Sequence, residues 1–113
     1  MTDERFDIEH RDAERRYVLV DRESDGADIG EEAYVDVDEE RVLYHTLVSE
    51  EYAGQGLASR LVSAVVDDII ARGMTIVPVC PYVKAWLPKH PEYADHVVDV
   101  RPEHLRAVSQ RTR

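Results

Sequence analysis

The sequence predicts a mixed α/β fold, an α+β arrangement in which an antiparallel meander of strands runs into a βαβ crossover. Three observations carry this expectation. Over residues 16–49, short β-branched and aromatic runs alternate with turn-forming clusters. From Leu57 onward the apolar period lengthens from two residues to four. A further short apolar run, residues 75–79, follows directly after the helical segment and Gly73. With 113 residues the chain has room for a single domain, residues 1–113, with a core at about 16–96 and a C-terminal tail at 97–113.

The elements follow in order. Residues 16–21 form the first strand, closed by the turn cluster Ser24, Asp25 and Gly26. In residues 29–35, Ile29, Ala33 and Val35 fall on alternate positions, as on one face of a strand. Asp36, Asp38, Glu39 and Glu40 then mark an exposed turn. Residues 41–49 are the strongest strand, apolar on both faces and so expected near the centre of the sheet. Leu57, Leu61, Val65 and Ile69 recur every four residues, Ala58, Val62 and Val66 widen the stripe, and Arg60, Ser63, Asp67 and Arg72 fill the other side. That is an amphipathic helix, with Gly73 placed for a left-handed cap. Connections this short make the crossover right-handed and the strands near 42–48 and 75–79 parallel. Pro78 lacks a ladder donor, which suits an edge strand, a bulge or a gap beside that strand. Pro81 opens a short helix over 81–87, His90 to Tyr93 start another turn or short helix, and 102–113 read as a weak helix that frays.

Composition narrows the function. The 24 acidic and 14 basic side chains leave a formal net charge of −10, which argues against nucleic acid and anionic lipid as partners. The imbalance is local: residues 1–52 hold 18 acids and 6 bases, residues 53–113 hold 6 acids and 8 bases. The acidic half reads as a solvated surface, or as an attractor for a basic partner. A lone cysteine, Cys80, excludes an internal disulfide and a multi-cysteine metal site. His90, His96 and His104, with Asp95 and Asp99, lack helical ligand spacing and read as scattered surface side chains, so no metal is expected. Residues 1–16 are charged throughout and no apolar run approaches the ~20 residues of a membrane helix. No signal peptide, no membrane contact and a cytoplasmic location are expected.

The chemistry is expected where strand becomes helix. Ala53-Gly54-Gln55-Gly56-Leu57-Ala58 sets two glycines just before the long helix. Backbone amides left uncovered there, with the positive end of the helix dipole, can hold phosphate without a basic side chain; a tight turn is the plainer use of the same glycines. The segment is neither a Walker loop, lacking Gly-Lys-Ser/Thr, nor a dinucleotide fingerprint, lacking the third glycine.

Meander, glycine-rich loop, long helix, parallel strand and short helix, in that order, resemble the GNAT superfamily of acetyl-coenzyme A-dependent N-acetyltransferases. That superfamily's loop pattern is Gln/Arg-x-x-Gly-x-Gly/Ala. Gly56 and Ala58 match it, while Ala53 stands where Gln or Arg is usual. A small single-domain branch is indicated by His45-Thr46, by the run from Gly54 to Ser59, by Val77-Pro78-Val79-Cys80-Pro81-Tyr82-Val83, and by Trp86-Leu87 through His90-Pro91-Glu92-Tyr93-Ala94-Asp95. The resemblance covers roughly residues 16–96. It implies a GNAT-like fold with splayed parallel strands and acetyl-CoA as co-substrate. The pyrophosphate would lie on the amides of Gly54, Gln55, Gly56, Leu57 and Ala58, with Ala53 and Ser59 also among the cofactor-binding residues, and the pantetheine arm along Leu47, Val48 and Ser49.

Three side chains are the candidates for chemistry. Cys80 sits where the strand meets the short helix, where a thiolate would be favoured; in the branch it resembles, the matching cysteine is regarded as a candidate catalytic group, and the plainer account is a small buried hydrophobe. Tyr82 could protonate the departing thiolate or could serve as an aromatic wall. His45 could be the general base, or a satisfied buried histidine sharing a strand face with Leu43 and Leu47, with Thr46 on the opposite face. Trp86 and Leu87 read as packing residues. The expected activity is acetyl transfer from acetyl-CoA to an amine acceptor, a protein, peptide or polyamine, by a monomer or homodimer. The alternative is a catalytically weak acyl-CoA-binding or interaction module on the same fold, for which Ala53 and the absence of an unmistakable glutamate base in the central strand speak.

Overall fold

In the computed structural model, which describes residues 5–112, five strands form one sheet in sequence order. Strands β1 (Phe6–Arg11), β2 (Arg16–Asp21), β3 (Ala27–Val37) and β4 (Glu40–Val48) are antiparallel neighbours, and β5 (Thr75–Pro78) lies parallel to β4. The crossover between β4 and β5 is α1 (Leu57–Ala71); α2 (Pro81–Trp86) and α3 (Pro102–Arg111) follow. The mixed sheet is therefore the one read from the sequence, with a fifth strand in front of it. No helix of the described residues is long and apolar enough to cross a membrane.

Strand β1 lies in the stretch read as uniformly charged. Phe6 and Ile8 alternate with Asp7, Glu9 and Arg11, and the two apolar residues join the core beside Tyr17 and Leu19 while the charged ones pair outward. α1 buries Leu57, Leu61, Val62, Val65, Val66 and Ile69 against the front face of the sheet, where α2 adds Val83 and Trp86. The stretch 102–113 holds the expected helix, α3, over Pro102–Arg111. Pro102 starts α3, the Arg101 amide donates to His104 Nδ1 at 2.9 Å, and Glu40 takes both Arg101 and His104 Nε2, at 2.6 and 2.7 Å. His104 is thus a fully buried, satisfied histidine and not a surface one. Packed on β3 and β4, α3 covers the back of the sheet, which is why Ala33 and Val42 are buried there.

Two bulges decide which side chains face the front. Leu19 pairs with Gly30 and Val20 with Asp28, so Ile29 is an extra residue in β3 and enters the front core; Ala33, read as its face-mate, lies on the back. Gly30 is required where it stands, because a Cβ would meet the Leu47 carbonyl oxygen at 2.9 Å. In β4, Tyr34 pairs with Leu43 but Ala33 with His45, so Tyr44 is the extra residue. Past it the alternation inverts. Leu43 points to the front core, while His45 and Leu47 fall on the back, 50 % and 54 % exposed, so His45 does not share a face with Leu43 and is not buried. Thr46 now faces front.

Candidate functional site

The splay of β4 from β5 makes the site. Their pairing runs from Glu40 with Thr75 to Leu43 with Pro78 and stops there. The Val79 and Cys80 amides both donate to the Leu43 carbonyl, at 3.0 and 2.8 Å, and turn the chain away into α2. β4 continues to Val48, and among the described residues no strand pairs with it on that side, which leaves a backbone edge open beside the front face.

A cleft of about 400 Å³ occupies the opening, with Thr46, Val48, Ser49 and Tyr82 at one end and the loop from Tyr52 to Ser59 at the other. Gly54 and Gly56 have φ of +82° and +70°, and a Cβ on either would meet nothing within 4 Å, so the space beside both is open. The first amide bonded within α1 is that of Arg60, to the Gly56 carbonyl, and no described side chain caps the helix. The Leu57, Ala58 and Ser59 amides therefore stand free at the positive end of a helix of 15 residues. Asp21 anchors the loop: fully buried, it accepts from Tyr52 Oη at 2.6 Å and from Arg5, and the Arg5 guanidinium, then the Tyr52 hydroxyl, hold its carboxyl far below the usual carboxylate range. Trp86 Nε1 donates to Ser59 Oγ at 2.8 Å and fixes α2 against the same helix end.

Most of the expected cofactor contacts gather here: Val48, Ser49, Ala53, Gly54, Gly56, Leu57, Ala58 and Ser59 line the cleft, whereas the side chains of Leu47 and Gln55 do not. Tyr82 is 39 % exposed at its mouth, and burial raises its phenol above the ordinary value. Cys80 lies behind Thr46, 3 % exposed, its Sγ 3.0 Å from Thr46 Oγ1. The structure brings Cys80, Thr46 and Tyr82 to one end of the cleft and leaves His45 on the other side of the sheet, where its Nε2 is 3.8 Å from Glu31.

One residue of this group escaped the sequence reading. Glu32, opposite Thr46 in the β3–β4 register, is fully buried, accepts a hydrogen bond from Thr46 Oγ1 through Oε1, and has no partner for Oε2 among the described residues. Burial pushes its carboxyl up to about 8, against the pull of the Thr46 hydroxyl and of the His45 backbone amide. A native state that binds this proton more tightly than the unfolded chain loses stability as pH rises from about 4.5 to about 8. Glu32→Gln is expected to abolish that part of the slope, read as the difference in urea-unfolding free energy between about pH 5 and about pH 8. A variant that keeps the full slope would place the titration elsewhere.

The profile of the family described as GCN5-related N-acetyl-transferase matches residues 16–96. The chain belongs to that family. Within the GCN5-related family, the solved structures it resembles include the NMR solution structure of a GCN5-like candidate N-acetyltransferase from Staphylococcus aureus, 28% identical, with a TM-score of 0.64 over 90% of this chain and 97% of the other. They also include a GCN5-related N-acetyltransferase from Sphaerobacter thermophilus, 22% identical, with a TM-score of 0.51. That likeness covers 57% of this chain and only 20% of the larger protein, so it speaks for the fold alone. No curated protein matches the chain. For an N-acetyltransferase family, acyl-CoA is the implied co-substrate, and the cleft suits it: uncovered amides at a helix end for phosphate, then an open strand edge for an amide-bearing arm. Among the described residues no cluster of side chains is built to hold a metal ion.

Proposed function

We propose that the protein is an acetyl-CoA-dependent N-acetyltransferase that acetylates an amine on a protein, peptide or polyamine. The observation that carries this is the continuous cleft from the uncapped start of α1 to Thr46 and Tyr82, in the gap where β4 leaves β5. The loop from Ala53 to Ser59 binds the phosphates through backbone amides, and the exposed edge of β4 at Val48 and Ser49 holds the pantetheine arm as an added strand. Acetyl-CoA supplies the activated acetyl thioester. Cys80 and Tyr82 act at the Thr46 end of the cleft, the first as acetyl acceptor or thioester neighbour, the second as proton donor at its hydroxyl. The acidic balance of residues 1–52 draws a cationic acceptor to the open surface, and the site of action is the cytoplasm.

The 3 % exposure of Cys80 favours one second reading, an acyl-CoA-binding module with little turnover. Incubation with acetyl-CoA and a panel of amines, followed by free-thiol release, separates the two. Amine-dependent release from the wild type that drops to background in Cys80→Ala is the expected result. Release that survives Cys80→Ala leaves direct transfer and removes the covalent role, and no release from the wild type, with thermal stabilisation by acetyl-CoA intact, selects the binding module.

A further inference from the structure

A carboxyl shut away from water is costly unless it is fully paired, and Glu32 is shut away with one oxygen that has no side-chain or backbone partner among the described residues. Its other oxygen is joined to a chain of two groups, Thr46 Oγ1 and, 3.0 Å further, Cys80 Sγ, and Thr46 lines the cleft. A hydroxyl has one proton to donate and lone pairs to accept with. With Glu32 ionised, Thr46 donates to it and accepts from the Cys80 thiol, so in that state the three groups form a path from sulfur to carboxylate. Resting on the acetyl-transfer reading above, we propose that Glu32 is a positioning residue for Cys80, the buried acceptor that takes the thiol proton through Thr46.

The step balances within the chain. The Cys80 S–H bond breaks and its proton forms a new O–H bond on Thr46 Oγ1; the former Thr46 O–H bond breaks and that proton forms an O–H bond on Glu32 Oε1. The electron pair stays on sulfur, which the Thr46 hydroxyl now stabilises as donor. Return of the proton along the same path restores the thiol. Burial lifts Glu32 to about 8, well above an ordinary carboxylate, so the carboxyl is a stronger acceptor for the arriving proton than an exposed one would be. The other titratable and charged groups around it are Tyr17 opposite Glu32 on β2, with Arg41 and Asp68 bonded to its hydroxyl, Glu31 beside it on β3, His45 beside Thr46 on β4, and Tyr82 after Cys80.

The test uses the ligand-free full chain. Cys80 is the only cysteine, so the ultraviolet absorbance of its thiolate, taken against Cys80→Ser in each background, reads the sulfur alone. In the wild type the thiolate is expected to appear in two phases, the first as Glu32 and Cys80 come to share one proton. Thr46→Val and Glu32→Gln are expected to abolish the first phase and leave a single later one, while Thr46→Ser, which keeps the hydroxyl, retains both. With acetyl-CoA added, the two disabling variants are expected to release CoA about 100-fold more slowly in a single turnover while keeping the acetyl-CoA-induced rise in Tm. Identical sulfur titrations in wild type, Thr46→Val and Glu32→Gln would overturn the relay. Absence of any rise in Tm in the wild type would instead overturn the acetyl-CoA reading, and the titration would still decide the relay.

Discussion

Gly56→Val is expected to remove the whole of the rise in Tm that acetyl-CoA gives the wild type. Gly56 caps α1 from the left-handed region, and a side chain there would stand in the open space directly over the uncovered amides of the helix start. Ligand present at about 100 times its Kd contributes roughly 2.7 kcal/mol of native-state stabilisation, and all of it depends on access to those amides. A β-branched residue at positive φ also carries a backbone cost of its own, of the order of 1–2 kcal/mol. Gly26 separates the two effects: it has the same φ of +70° with nothing within 4 Å, in the turn after β2. Gly26→Val should therefore lower the Tm similarly and leave the acetyl-CoA shift intact. An undiminished shift in Gly56→Val would mean that the phosphates bind elsewhere.

Arg41→Ala is expected to be the most damaging single change to the scaffold, about 3 kcal/mol in urea unfolding. Arg41 is almost wholly buried at the start of β4, and its guanidinium serves three partners. It pairs through two nitrogens with Asp36 at 2.8 and 2.9 Å, stacks 4.0 Å over the Tyr34 ring, and donates to Tyr17 Oη at 2.8 Å. Tyr17 passes the link on to Asp68 of α1 at 2.6 Å, and Arg72 closes it at 2.7 Å. Truncation strands Asp36 and the Tyr17 hydroxyl and empties the space over Tyr34. Arg41→Lys is expected to recover little, because one ammonium cannot supply the fork and the stacked plane together. A loss below about 1 kcal/mol would show that water replaces the network at small cost.

What the sequence disclosed was what periodicity and punctuation can carry. The stripe from Leu57 to Ile69, Gly54 and Gly56 before it, and Gly73 after it fixed the crossover and hence the cleft. The inversion at Tyr44 left no mark, since a bulge there needs no glycine or proline. That is why His45 was expected beside Leu43. Glu32 was hidden for a related reason. It follows Glu31 in an acidic half, and alternation separates inside from outside only where one face is wet; here α1 covers the front and α3 the back, so Glu32 and Ala33 are both buried on opposite sides. Strand β1 was hidden by its charges, although Phe6 and Ile8 kept the period of two.

Those same charges have a consequence for the molecule in a crowded solution. Among the described residues β1 ends the sheet, so one side of its backbone has no strand beside it. Asp7, Glu9 and Arg11 line that margin, each engaged with an opposite charge, Arg22, Arg11 and Asp28. A second chain seeking to extend the sheet would have to break these pairs and bring like charges into register. The N-terminal strand thus serves as a guard against fibril-like stacking, and neutralising it, as in Asp7→Val with Glu9→Val, would turn a closed margin into a sticky one.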